Sequence, residues 1–211
     1  MKKLSMILVC FSFLAAGCTS GYRVYINGYS EQAQKIKPNA SFYVEANDPN
    51  SHNPIFDEQI KAKIEALLKW YNYVPVSEIN ESEYVITFRV GMGSHASYHY
   101  EPFYNTYFGF HSGYRTGYSF GYTTYIPYYD TYYDQWLTMK VSSRSSETGS
   151  KNEKVIWVGE AVVGTSGDDI RKVIDYLLAG CFDYFGVDTS RQRSIVIKAD
   201  DPRIMDIKYI R

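Results

Sequence analysis

The stretch Tyr84-Val85-Ile86-Thr87-Phe88-Arg89-Val90-Gly91-Met92 decides the fold class. Tyr84, Ile86, Phe88, Val90 and Met92 alternate with Val85, Thr87, Arg89 and Gly91, and along an extended chain successive side chains point to opposite faces. The stretch therefore reads as a strand with one buried face. Leu137, Met139 and Val141 alternate with Thr138, Lys140 and Ser142 in a second strand of the same kind. After a polar turn region from Arg144 to Asn152, the run Lys154 to Val163 forms a third. Its near-continuous apolar character predicts a central position covered on both faces.

Working outward, the period changes. Asn53-Pro54 is a helix start, with a cap residue before proline at the first helical position. Ile55, Phe56, Ile60, Ile64, Leu67, Leu68 and Tyr71 follow at helical spacing and make one apolar stripe. Ser166 and Asp169 resemble a capping box for a second helix. Ile170, Val173, Ile174, Leu177, Leu178, Cys181 and Phe185 line its inner face, and Gly186 is placed to end it. Ser41 to Glu45 reads as a short strand, Val24 and Ile26 as an edge strand, and Ile195 and Ile197 as a late one. The expected fold is a single α/β (α+β) domain over residues 41–200, with a mostly antiparallel or mixed sheet and two packed helices. Residues 18–40 are expected to form a tether with the edge strand, and residues 201–211 a tail.

Composition narrows the function classes. Among 211 residues, 45% are hydrophobic and 21% charged, so the chain can bury a core. With 22 basic and 23 acidic residues the net charge is -1, which gives no basic footprint for nucleic acid. Aromatic content is high at 17%, and tyrosine supplies most of it: 22 tyrosines against 3 tryptophans.

Twelve of those tyrosines fall within residues 95–133, a tyrosine- and glycine-rich insertion between two strands. Thirty-nine residues without a core pattern is long for a connection in a compact domain, which marks such a segment as functional or loosely ordered. Tyrosine offers broad, stiff contact area with a hydroxyl at its tip. Tyr104, Tyr107, Tyr114, Tyr118, Tyr122 and Tyr125 are the candidate partner-binding residues. The alternative is a low-complexity loop that folds back on the sheet. His95 and His99 have helical metal-ligand spacing, but in extended chain they stand about 13 Å apart, too far for one ion. No nucleophile elbow, phosphate loop or metalloprotease motif is present in the sequence, and no enzyme activity, cofactor or dedicated metal site is expected. Cys181, on the inner face of the second helix, is expected to pack as a small hydrophobe.

The first residues read as an address. Met1-Lys2-Lys3 precedes the apolar run Leu4 to Ala16, which would span about 20 Å as a helix, short of the ~30 Å hydrocarbon layer. It reads as a signal-peptide core. Leu14-Ala15-Ala16-Gly17-Cys18 resembles the lipobox of bacterial lipoproteins, with Ala15 where that family prefers leucine. The resemblance implies removal of residues 1–17 and a lipid anchor on Cys18. Thr19 stands where lipoproteins kept at the inner membrane commonly carry aspartate, which implies the periplasmic face of the outer membrane.

A wider resemblance covers about residues 40–187. Ser41 to Glu45, the helix from Asn53, Ser82-Glu83-Tyr84-Val85-Ile86-Thr87-Phe88, Leu137 to Ser142 and Val155-Ile156-Trp157-Val158-Gly159-Glu160-Ala161 together resemble a family of bacterial envelope lipoproteins with a domain of unknown function, the 4136 domain type. That family has no established catalytic residues to carry over. The leading expectation is a non-enzymatic outer-membrane lipoprotein that presents the tyrosine-rich loop to an envelope partner. One alternative is an oligomeric secretion or assembly component that contributes a hairpin. Another is a protein that binds or processes peptidoglycan or lipopolysaccharide.

Overall fold

Among the described residues, seven strands form one mixed sheet in the order β3-β2-β4-β5-β6-β1-β7, with three helices packed on one face. The computed structural model describes residues 20–31, 35–47, 53–108, 119–144 and 154–210, with side chains described outside 97–130. The strands are β1 (Gly21–Ser30), β2 (Ser41–Ala46), β3 (Val74–Pro75), β4 (Tyr84–Phe108), β5 (Ser119–Ser143), β6 (Lys154–Thr165) and β7 (Arg193–Lys198). Among the described strands, only the pairings of β2 with β3 and with β4 are parallel. The α-helices are α1 (Pro54–Trp70), α2 (Ile174–Asp183) and α3 (Pro202–Ile207). The expected mixed-sheet α+β domain is what the chain forms, and the third helix lies within the stretch read as a tail.

Local chemistry fixes the helix ends. The Asn53 side chain accepts from the Phe56 backbone N–H at 3.1 Å, with Pro54 at the first helical position. At the other end Asn72 takes a left-handed φ of 62°. The Tyr73 N–H then donates to Leu68 and the Asn72 N–H to Lys69, a Schellman closure with asparagine in the place glycine usually fills. For α2 the expected capping box does not form. Asp169 caps a single 3₁₀ turn, Ile170–Lys172, by accepting from the Arg171 N–H, and the α-helix begins after it. Gly186, at φ 75°, turns the chain away after the helix.

The core lies between the helices and one sheet face. Ile60, Ile64, Leu67 and Leu68 of α1 and Ile174, Leu177, Leu178 and Cys181 of α2 are buried against Val24, Ile26, Ile86, Phe88, Leu137 and Met139. Two strands sit differently from the expectation. β1 is not an edge strand; it sits between β6 and β7. β6 is central but covered on one face only: Trp157, Ala161 and Val163 are buried, while Val158, Glu160 and Val162 on the other face are half-buried. Apolar residues on the uncovered face sustain the continuous run that predicted two-sided burial.

Two polar clusters tie the helices together. Lys63 of α1 and Asp175 of α2 form an ion pair at 2.6 Å with both side chains about nine-tenths buried. Arg203 of α3 binds Asp201, Asp183 and the Tyr71 hydroxyl, joining the ends of α1 and α2 to α3. Hydrogen bonding to Arg203 holds the Asp201 carboxyl below the usual aspartate range.

Candidate interaction site: the arm and its root

β4 and β5 are each 25 residues long, far beyond what the sheet needs. β2 covers β4 only as far as Phe88, and β6 covers β5 only back to Tyr133. Past that boundary β4 and β5 continue as a two-stranded ribbon of fourteen successive pairs, from His95–Tyr132 to Phe108–Ser119. At about 3.3 Å per residue the arm is roughly 46 Å long. Residues 95–108 and 119–133 of the expected insertion are therefore strand, and the ladder runs on past the third strands rather than folding back on the sheet.

Which atoms face outward follows from two hydrogen bonds at the base of the ladder. The Arg144 N–H donates to the Glu83 carbonyl, so odd-numbered residues of β4 turn their backbone toward β5. The Asn47 N–H donates to the Phe88 carbonyl, so even-numbered residues turn outward. The β4–β5 register holds without a shift to the end of the ladder. Pro102, paired with Tyr125, and Pro127, paired with Tyr100, both fall on the outward-turned set. Each free edge of the arm thus carries one proline where a neighbouring strand would need a donor.

The six candidate tyrosines do not share one surface. Register places Tyr104 and Tyr125 on the face continuous with the helix side of the sheet, and Tyr107 and Tyr122 on the opposite face. Tyr114 and Tyr118 lie outside the described residues. The first face carries Tyr98, Tyr100, Pro102 and Tyr104 opposite Tyr129, Pro127, Tyr125 and Thr123. It holds no carboxylate, lysine, arginine or histidine in either strand from Ser94 to Phe108 and Ser119 to Tyr133. His95, His99, Glu101 and Asp130 all fall on the second face. Sequence reading missed this segregation because faces are assigned only once the pairing is known.

At the arm's root His95 stacks on Tyr132 with ring centroids 5.9 Å apart, and its Nδ1 lies 3.3 Å from Asp134. His95 and His99 are both in extended chain, which separates them as the strand geometry requires, and no metal-binding cluster occurs among the described residues. A shallow groove of about 280 Å³ opens beside the root, lined by Phe56, Phe88, Val90, Met92 and Ile170, with Asn53 and Asp57 at its margin. Met92 there is 46% exposed.

Elsewhere, Tyr25, Tyr29, Val155 and Val196 lie exposed on the uncovered strands. A larger cleft of about 490 Å³, lined by Ile36, Tyr73, Phe185 and Val187 with Glu31, Lys35 and Asp188, lies at the end of the sheet opposite the arm. Cys181 is fully buried and its thiol is pushed up to about 12, first by burial and then by the charge of Glu160, which suits packing and not nucleophilic chemistry. Cys18 lies outside the described residues.

No protein-family model matches the chain, and no curated protein matches it in sequence. Among solved structures, it is similar to a PDZ domain protein from Parabacteroides distasonis, with TM-score 0.49 and 13% identity over 90% of this chain and 42% of that one. It is also similar to a PelC dodecamer from Paraburkholderia phytofirmans, with TM-score 0.40 and 9% identity over 78% of this chain and 98% of that one. The chain spans less than half the length of the PDZ domain protein.

Proposed function

We propose that the chain is a non-enzymatic lipoprotein of the envelope lipoprotein family named above, anchored through Cys18 on the periplasmic face of the outer membrane, and that the β-arm is its interaction element. One observation carries the reading: fourteen residue pairs project beyond any third strand. A two-stranded ribbon is marginal in water by itself, because ordering each residue costs about 1–2 kcal/mol and few of the side chains gain burial. Such an arm gains most when something else covers it.

The test replaces residues 96–131 by Asn-Gly, joining His95 to Tyr132, a hydrogen-bonded pair, across a two-residue turn. Benzoylphenylalanine placed at Tyr107 in the full chain, and at Tyr209 on the body as a control, reports contacts in living envelopes. Adducts at Tyr107 and none at Tyr209, with a shortened chain that still folds and still incorporates palmitate, support the reading. No adduct at Tyr107 contradicts it.

The hairpin form of the arm also favours a second reading, an oligomeric assembly component whose arms come together. Light scattering of the detergent-solubilised chain separates the two readings, because a monomer excludes the second.

A further inference from the structure

We infer that the uncharged platform of the arm, Tyr98, Tyr100, Pro102 and Tyr104 with Thr123, Tyr125, Pro127 and Tyr129, is a membrane-contact face that sits in the headgroup region of the bilayer carrying the anchor. The inference rests on the lipid-anchor and arm readings above and adds the identity of the surface touched.

β5 runs from the arm into the sheet, β6 returns antiparallel to it so that Thr165 lies beside Tyr133 at the root, and β1 runs antiparallel to β6. Gly21, the first residue of β1, therefore starts at the root end of the sheet, where it pairs with Lys198. Cys18 precedes it by three residues, a reach of roughly 10 Å even when fully extended. The acyl anchor and the arm thus leave the body from the same end. An arm of roughly 46 Å that starts there is directed to the lipid surface, not to a glycan layer on the far side of the body.

Among the paired residues 94–108 and 119–133, the face continuous with the helix side carries no ionisable group except tyrosine hydroxyls, while both carboxylates and both histidines of the paired arm fall on the other face. Tyrosine is enriched at the membrane–water boundary, where its ring meets apolar chains and its hydroxyl meets water. Within the platform, Tyr100–Pro127 and Pro102–Tyr125 are successive cross-strand pairs on the outward-turned set, whose Cα atoms approach to about 4.5 Å, the closer of the two antiparallel spacings.

The arm's edges fit the interface and not a crossing of the hydrocarbon. A crossing strand must satisfy every backbone group, which requires closed pairing along both edges. Pro102 and Pro127 remove a donor from the middle of each free edge. At the interface, water and headgroups serve those edges and the gap costs little.

The full-length acylated chain in phosphatidylethanolamine–phosphatidylglycerol vesicles tests this with nitroxide labels at Tyr104→Cys and Tyr125→Cys on the platform and at Tyr107→Cys and Tyr122→Cys on the other face. Cys18 is consumed by the anchor, and buried Cys181 does not label. The predicted result is an oxygen-to-nickel-chelate collision ratio several-fold higher at both platform sites than at both opposite sites. Equal ratios on the two faces, or chelate-dominated collisions everywhere, overturn the inference. Exclusion of both reagents from the platform also overturns it, in favour of a protein contact. Palmitate incorporation in the same preparation reports the anchor separately. If acylation is present and the facial difference absent, the membrane inference alone fails.

Discussion

The buried pair Lys63–Asp175 spans the interface of α1 and α2, and its partners are too deeply covered for water to replace either one. Removing one charge leaves the other uncompensated, so Lys63→Met or Asp175→Leu alone should each cost about 3–5 kcal/mol, while the double variant should recover most of it. Denaturant midpoints of the three variants measure this. Asp201 carries a pH-dependent share of stability. Its folded-state carboxyl titrates below the unfolded value because Arg203 hydrogen-bonds it, so the contribution is present above the ordinary aspartate range and is lost as pH falls through the folded value. Thermal melts from pH 5 to about pH 2 should therefore show a shallower acid decline in Arg203→Gln than in the parent chain, since the variant has already lost that contribution. Two glycines make a further pair of tests. A Cβ on Gly159 would stand 2.2 Å from the Trp157 ring, and one on Gly91 would stand 2.3 Å from the Trp136 ring. Trp157 is buried and donates to the Val187 carbonyl at 3.2 Å, so it cannot yield, whereas half-buried Trp136 can swing aside. Gly159→Ala should cost about 1–3 kcal/mol and Gly91→Ala clearly less, as read from urea midpoints.

At the scale of elements, the arm combines length with guarded edges. Restoring the missing donors by Pro102→Ala with Pro127→Ala opens both edges to strand addition, and the prediction is faster self-association by light scattering with the body's fold unchanged. The same prolines explain what could and could not be read from the sequence. Helix α1 was legible because its cap, its proline and its stripe at 60, 64, 67 and 68 all agree. The inner strands were legible where Ile86, Phe88, Leu137 and Met139 alternate over a core. The arm was not. Without a core, neither phase has to be apolar, so tyrosines occupy both faces and Pro102 and Pro127 read as chain breakers. Helix α3 was hidden because only Ile204 and Ile207 are buried in six residues, too few to establish a period. Of the candidate site residues, the type and region were legible, but their division between two faces waited on the pairing register.

At the scale of the molecule, the sheet has a root end, where the arm leaves and β1 begins, and a far end, where β1 closes at Ser30 beside Trp157. The anchor and the arm both leave the root end, and an arm lying along the headgroup layer must turn from the strand axis at its root, so the root end lies nearer the bilayer than the far end. Met92 at the root is 46% exposed and Val187 at the far end is 50% exposed, so both accept a label without disturbing the core. Thr165 lies eight residue steps beyond Trp157 along β6, which sets the two ends roughly 26 Å apart. The direct measurement is relaxation of nitroxides at Met92→Cys and Val187→Cys by nickel-chelating headgroups in vesicles that carry the acylated chain. Strong relaxation at position 92 with little at position 187 is the result predicted. Equal relaxation at both, or the stronger effect at position 187, would contradict the account.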